Sequence, residues 1–253
     1  MRVYKSSETL TTIQSIIHKN ESGIYLRFGD GDYMLAENKN DKMQIADNNL
    51  SIEMRESIGI NGKNVLKSIP LYCEKYGMKE KYMFPGNHLL DEGVCNNLLA
   101  IANKYWNGDI TDVYSHVALH YTSTHSIHEC ISFLNFLKLN NHIIIGNQNV
   151  PEEILKKLFG NDYRWIKTPD KNSYFDIDRI ESEFDRVIDD SKYTVVTTFM
   201  GCSGRVMQKR IWSKHKNLFL FDFGSLMDAV CNWKTRGWIH LTNFNHKNFL
   251  ERI

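Results

Sequence analysis

From His142 onward, short apolar strands alternate with amphipathic helices, and few architectures accept that rhythm. His142-Ile-Ile-Ile145 is a compact strand that ends in Gly146-Asn-Gln148. A helix is predicted from Pro151, whose ring suits a first helical turn, with Glu152 and Glu153 near the positive end of the dipole. Trp165-Ile166 is a second strand, and Phe175 to Asp189 has helical spacing. Tyr193 to Phe199 is a β-branched strand running into Met200-Gly-Cys-Ser-Gly204, with a helix from Arg205 to Lys214. Leu218-Phe-Leu-Phe221 is the last strand and runs into Asp222-Phe-Gly224. Such alternation predicts βαβ units, and so an α/β fold with a Rossmann-like, mostly parallel sheet flanked by helices. Ligands of such sheets bind beyond the carboxyl ends of the strands. Here those ends are Gly146–Gln148, Met200–Gly204 and Asp222–Gly224.

The first half has a sharper local signal. Gly23-Ile-Tyr-Leu-Arg-Phe-Gly-Asp-Gly-Asp32 is predicted as a strand broken by Gly29 and Gly31, followed by a turn with two carboxylates, Asp30 and Asp32. Along a strand, residues i and i+2 share a face about 6.5 Å apart. Two such carboxylates suit a hard divalent cation, Mg²⁺ or Mn²⁺, that keeps positions open for water and phosphate. A plain turn uses the same residues, so both readings stand at this point. An EF-hand loop is excluded, because Met34 and Leu35 occupy its fifth and sixth positions. Helices are predicted from Ser6, over Asn48–Gly59, over Asp91–Tyr105 and from Ser126 to Leu139. Strands are predicted at Val65–Ile69 and Val113–Leu119.

Composition narrows the class. A formal net charge of +1 over 253 residues gives no field that would recruit nucleic acid or an anionic membrane. The five cysteines (Cys73, Cys95, Cys130, Cys202, Cys231) contain no CxxC pair, against a disulfide framework or a structural zinc site. No apolar run is long enough to span a bilayer, and no signal-peptide core opens the chain, so a cytoplasmic protein is expected.

Several segments carry candidate chemistry. Gly201-Cys-Ser-Gly204 joins a strand to a helix, where free N–H groups can bind phosphate; a tight turn is the alternative. It is neither GxGxxG nor a Walker loop. Asp222 can bind ribose hydroxyls, support a metal or cap a helix, and Asp228 extends that acidic cluster. His116 and His120 have the i, i+4 spacing of a zinc pair, but no HExxH accompanies them. His120 and Glu53 are candidate general bases, and Trp106, Trp233 and Trp238 are candidate sugar platforms. Lys209-Arg210 and Lys214-His-Lys216 read as solvated helix ends.

Arg27-Phe-Gly-Asp-Gly-Asp32 resembles the RFGDGE signature of the GT-D-fold glycosyltransferases. Ile143–Gly146, Pro169 with Asn172-Ser-Tyr174, Val195–Gly204 and Phe221–Asp228 follow in the order of that family's later segments. The resemblance implies a single glycosyltransferase domain over 1–253. Residues 1–140 would carry the metal motif and the acceptor side, and 141–253 the nucleotide. It further implies metal-dependent transfer of a hexose from a nucleotide-sugar, a UDP-sugar, to a glycan or glycoconjugate. Asp30 and Asp32 would bind the metal and act in catalysis. Arg27, Gly29, Gly146, Asn172, Tyr174, Gly201, Ser203, Gly204, Asp222 and Asp228 would contact the donor. Two departures stand out: Asp32 replaces the family's Glu, and Gly201–Gly204 replaces a glycine-proline version. Two rivals remain: a phosphohydrolase with Asp30 as nucleophile, and a non-catalytic nucleotide- or glycan-binding module.

Overall fold

The computed structural model describes residues 1–71 and 92–253. Asp91 and Cys73 lie outside them. A short parallel pair joins β1 (Arg2–Val3) to β4 (Asp112–Val113). The main sheet comprises β2 (Gly23–Arg27), β3 (Val65–Ser68), β5 (His142–Asn147), β6 (Tyr163–Thr168), β7 (Thr194–Phe199) and β8 (Leu218–Asp222). These strands run in the order β3-β2-β8-β7-β5-β6, every pair parallel. Ile24 sits opposite Leu220, so one sheet runs through both sequence halves.

The period-two alternation of the strands divides the core. Tyr25, Ile144, Val195, Phe219 and Phe221 point to one face. There they meet α1 (Ser6–His18), α5 (Ala118–His125), α6 (Ile127–Leu137) and α7 (Glu152–Phe159). Three short helices join them: α10 (Leu226–Val230), α11 (Gly237–Leu241) and α12 (His246–Glu251). Ile24, Leu26, Ile143, Ile145, Val196, Leu218 and Leu220 point to the other face. They pack on α2 (Asp30–Ala36), α3 (Asn48–Gly59), α4 (Glu92–Tyr105), α8 (Ile177–Val187) and α9 (Ser203–Lys214). Burying one such side chain fully contributes about 1.5–3 kcal/mol, so strands apolar on both faces drive the layering.

Three local expectations need correction. Asp30-Gly-Asp32 is the first turn of α2, not a loop: Asp32 Oδ2 accepts the Gly29 N–H at 2.7 Å and so caps the helix. Val113–Leu119 is strand only through Val113, because α5 begins at Ala118. Pro151 stands just before α7, which starts at Glu152. The helices α10, α11 and α12 escape sequence reading because each is five or six residues long, too short to show a period. Among the described residues, no helix is long and apolar enough to cross a membrane.

Candidate active site

One cavity is lined by the last residue of, or the segment just after, each of the six main-sheet strands, with Arg27, Ile69, Asn147, Pro169, Met200 and Asp222 marking them in turn. A parallel sheet leaves its ligand site at this edge, where loops diverge and helices begin. Arg27, Gly29, Asp30, Asp32, Gly201, Asp222 and Asp228 all line it.

Asp30 and Asp32 share that wall in different settings. Two residues apart on a helix, their side chains diverge, so the strand-spacing argument for a side-by-side pair fails. Asp30 is exposed, whereas Asp32 is buried. Asp32 Oδ2 caps α2, while its buried Oδ1 receives no hydrogen bond. The nearest cation is Arg205 Nε at 3.4 Å, an ion pair without hydrogen-bond geometry. Burial, opposed by Arg205 and the Gly29 N–H, raises the Asp32 carboxyl to about 6. Asp41 stands beside them, its Oδ2 accepting the Met43 N–H at 3.0 Å.

Two buried arginines organise the floor. Arg27 Nε donates to Asp222 Oδ2 at 3.0 Å, and its Nη1 reaches the His116 carbonyl at 3.1 Å. Arg205 Nη2 lies 3.1 Å from the same Asp222 oxygen, and its Nε donates to the Arg27 carbonyl at 2.6 Å. Asp222 therefore holds both guanidinium groups in place. Gly224, at φ +62°, permits this: a Cβ there would lie 2.0 Å from Arg27 Nη2.

The histidines are wired to the same arginines. Arg27 Nη1 donates to His120 Nε2 at 3.2 Å, which makes that nitrogen an acceptor and leaves the ring proton on Nδ1. Ser225 Oγ accepts from Trp238 Nε1 at 3.0 Å and sits 3.1 Å from His120 Nε2. Burial first, then Arg27, pushes both histidines well below the ordinary imidazole value. Among the described residues no third His, Cys, Asp or Glu joins His116 and His120, and both are tied to Arg27 instead, so the pair does not build a zinc site.

Most of the remaining sequence candidates fall behind the wall. Gly146 lies under Phe199, whose ring carbon would be 2.0 Å from a Cβ there, and Phe199 itself lines the cavity. Asn172, in the left-handed region, accepts the Ile45 N–H with its side chain and donates its own N–H to the Met43 carbonyl. Tyr174 donates to Glu53 at 2.9 Å, and its N–H reaches Gln44 Oε1. Both residues thus brace the 41–45 loop that brings Asp41 and Met43 to the cavity. Ser203 turns inward to the Met200 carbonyl, and Gly204 packs against Met200 and Thr198. Glu53 pairs with Arg210 and lies away from the cavity, so it is not placed as a base. Trp106 is buried outside the cavity, whereas Trp233 and Trp238 line it. Sequence reasoning missed Arg205, Asp41 and Ser225, whose roles depend on contacts far along the chain.

No third His, Cys, Asp or Glu joins Asp30 and Asp32 among the described residues, so the donor set fits only a hard cation that needs few protein ligands. Such ions bind through one or two carboxylates and complete their shell with water and substrate phosphate. The unpartnered, buried Asp32 Oδ1 and the exposed Asp30 on the same cavity supply that donor set.

A family model described as "Glycosyltransferase GT-D fold" matches residues 25–246. No curated protein matches the chain. Among solved structures, the chain is similar to "A New Glycosyltransferase (DUF1792) from Streptococcus sanguinis" at 16% identity. The TM-score is 0.66, covering 92% of this chain and 84% of that one. A second, described as "The highly conserved domain of unknown function 1792 has a distinct glycosyltransferase fold", is 14% identical with TM-score 0.64, covering 87% and 77%. A selenomethionine-substituted structure of domain of unknown function 1792 is 15% identical with TM-score 0.69, covering 92% and 81%.

Proposed function

The chain belongs to the GT-D glycosyltransferase fold family, and from that premise we propose that it moves a hexose from a nucleotide-sugar to a glycan or glycoconjugate. In this reading the donor is a UDP-sugar and a divalent cation, Mn²⁺ or Mg²⁺, is held by Asp30 and Asp32. The observation that carries the proposal is the buried Asp32 Oδ1, which lacks a well-formed hydrogen bond although Arg205 lies 3.4 Å away and the Cys202 thiol is beside the carboxylate, in a cavity that also exposes Asp30. Buried polar atoms are satisfied almost everywhere in folded proteins, so an orphaned carboxylate oxygen points to a ligand.

When bound, the cation supplies Lewis-acid neutralisation of the diphosphate's charge. The protein's own groups do the rest. Asp222 holds Arg27 and Arg205 rigid, so their positive charge faces the anion without reorganising. Gly29 and Gly201 leave room for the diphosphate to approach the backbone. Gly146, Asn172, Tyr174, Ser203 and Gly204 act by shaping the wall behind the nucleotide rather than by touching it. Residues 1–140 thus provide the metal carboxylates, and 141–253 most of the nucleotide side.

A thermal-shift panel tests this. UDP-sugars are expected to raise Tm with Mn²⁺ present, since a ligand that binds only the native state stabilises it by mass action. The shift and the transfer activity should both vanish in a folded Asp30→Ala/Asp32→Ala variant. Unchanged transfer in that variant would remove the metal assignment. Phosphate release from phosphomonoesters without a sugar acceptor would instead favour the phosphohydrolase, and UDP binding without turnover the non-catalytic module.

A further inference from the structure

Resting on the transfer reading, we infer that Asp228 is the base that takes the proton of the acceptor hydroxyl, in a transfer that inverts the anomeric carbon. The acceptor oxygen bonds to that carbon while its bond to the diphosphate oxygen breaks. The bonding electrons leave on the diphosphate, and the hydroxyl proton passes to Asp228 Oδ1.

The geometry singles out this carboxylate. Asp228 follows β8 on α10 and lines the cavity, its side chain 24% exposed. Thr235 Oγ1 donates to Oδ2 at 2.6 Å, and Arg236 Nε stands 3.7 Å from the same oxygen. Among the described residues no donor reaches Oδ1, so one oxygen is anchored and the other is left for a substrate. Partial burial also raises the carboxyl's proton affinity, with Thr235, Arg236 and Arg27 opposing that shift. A base that holds its proton more tightly is better matched to accepting one near neutral pH.

Other groups on the wall are committed elsewhere. Asp222 Oδ2 is shared by two arginines. The His120 lone pair already receives the Arg27 N–H. His116 lies beside Gly29, on the α2 side of the cavity, under the field of both arginines. Asp32 and Asp41 belong to the α2 corner. Asp170 is exposed, with no partner among the described residues to aim it. Asp228 also has the surroundings a sugar needs. Its main-chain carbonyl accepts the Trp233 main-chain N–H at 2.8 Å, and both residues line the same cavity. An aromatic residue and a carboxylate lining one cavity suit a sugar ring and its hydroxyls.

The test uses the full chain with Mn²⁺, UDP-glucose, UDP-galactose or their N-acetyl forms, and p-nitrophenyl glycosides as acceptors. Asp228→Asn is expected to lower kcat about 100-fold or more. Its Kd for UDP, measured by calorimetry, should change far less than kcat, and Asp228→Glu should recover part of the rate. Thr235→Val, which frees the anchored oxygen, should lower kcat less. NMR of the wild-type product should show the anomeric configuration opposite to the donor's. A product that keeps the donor's configuration overturns the inference whether or not the variants fold, and so does an undiminished kcat in Asp228→Asn. Both results leave the transferase reading standing. UDP binding with no transfer by the wild type ends that reading, and this inference with it.

Discussion

Two clusters of paired charge sit in different settings. At the cavity floor, Arg27, Arg205, Asp32 and Asp222 are almost wholly buried and converge on a few shared oxygens. Along the seam of α3, α8 and α9, Arg210 grips Glu53 with two nitrogens at 2.7 and 2.6 Å and also reaches Glu181 and Asp178. Lys209 and Lys214 extend that seam through Glu56, Glu181 and Asp185. Its members are less enclosed than the floor's: Arg210, Glu53 and Glu181 keep 19%, 16% and 13% of their side-chain surface in water, and Asp178 is 90% exposed. Burying charge costs several kcal/mol per ion even when paired, whereas wet pairs are nearly neutral in stability. The floor therefore carries the less favourable arrangement, and it does so where a charged substrate would bind. The seam ties three helices together without that cost.

The largest effect expected from this contrast is at Arg205. Arg205→Met removes the ion partner of Asp32 and one of two on Asp222, leaving buried charge uncompensated. Urea unfolding should show a loss of about 3–5 kcal/mol. A loss below about 1 kcal/mol would place the floor in the same class as the seam. Next is Asp32, raised by burial from 3.8 to about 6. The folded protein holds that proton more tightly than the unfolded chain. Its contribution is therefore fully present below about pH 4 and is lost as pH rises through 6. The shift corresponds to about 3 kcal/mol. Asp32→Asn should raise the stability of the metal-free protein at pH 7 by up to about that amount. It should also flatten the stability profile between pH 4 and 6 while abolishing transfer. A wild-type profile already flat across that range would contradict the burial argument. Gly224→Ala should cost about 1–3 kcal/mol, through its positive φ and the displaced Arg27 guanidinium. Wild-type Tm in that variant would show that the arginine is not held by its neighbours.

What the sequence disclosed follows the reach of each signal. The strands at 142–147, 194–199 and 218–222 were legible because buried parallel strands are short, apolar runs that need no partner to be recognised. The strand ends followed, and with them Asp222 and Gly201. The helix starting at Asp30 was hidden because Asp and Gly favour turns as well as caps, and Gly31 weakens any helical signal. Arg205 looked like an ordinary helix-start residue; its partners at Arg27, Asp32 and Asp222 come from three other elements. His120 had a visible spacing to His116, yet its actual partner is Arg27, 93 residues earlier. Periodic patterns reveal layers, while the wiring of a site depends on contacts that no local pattern encodes.

The smallest effect, and the sharpest check on the contrast, belongs to Arg210. It has more ion-pair partners than Arg205, so a count of contacts would rank it first. Setting argues otherwise. When it is removed, Asp178 is already in water, and Glu53 and Glu181, 16% and 13% exposed against 2–3% for Asp222 and Asp32, keep Lys209 and Lys214 as partners. Arg210→Ala should cost about 1 kcal/mol or less at low ionic strength. The loss should shrink further as salt is raised from about 0.05 to 0.5 M, because screening shortens the reach of exposed charges. The loss in Arg205→Met should change little over the same range, since its site is closed to ions. Equal costs, or equal salt dependence, would mean that burial does not separate the two clusters, and the case for the floor as the functional one would have to rest on the cavity alone.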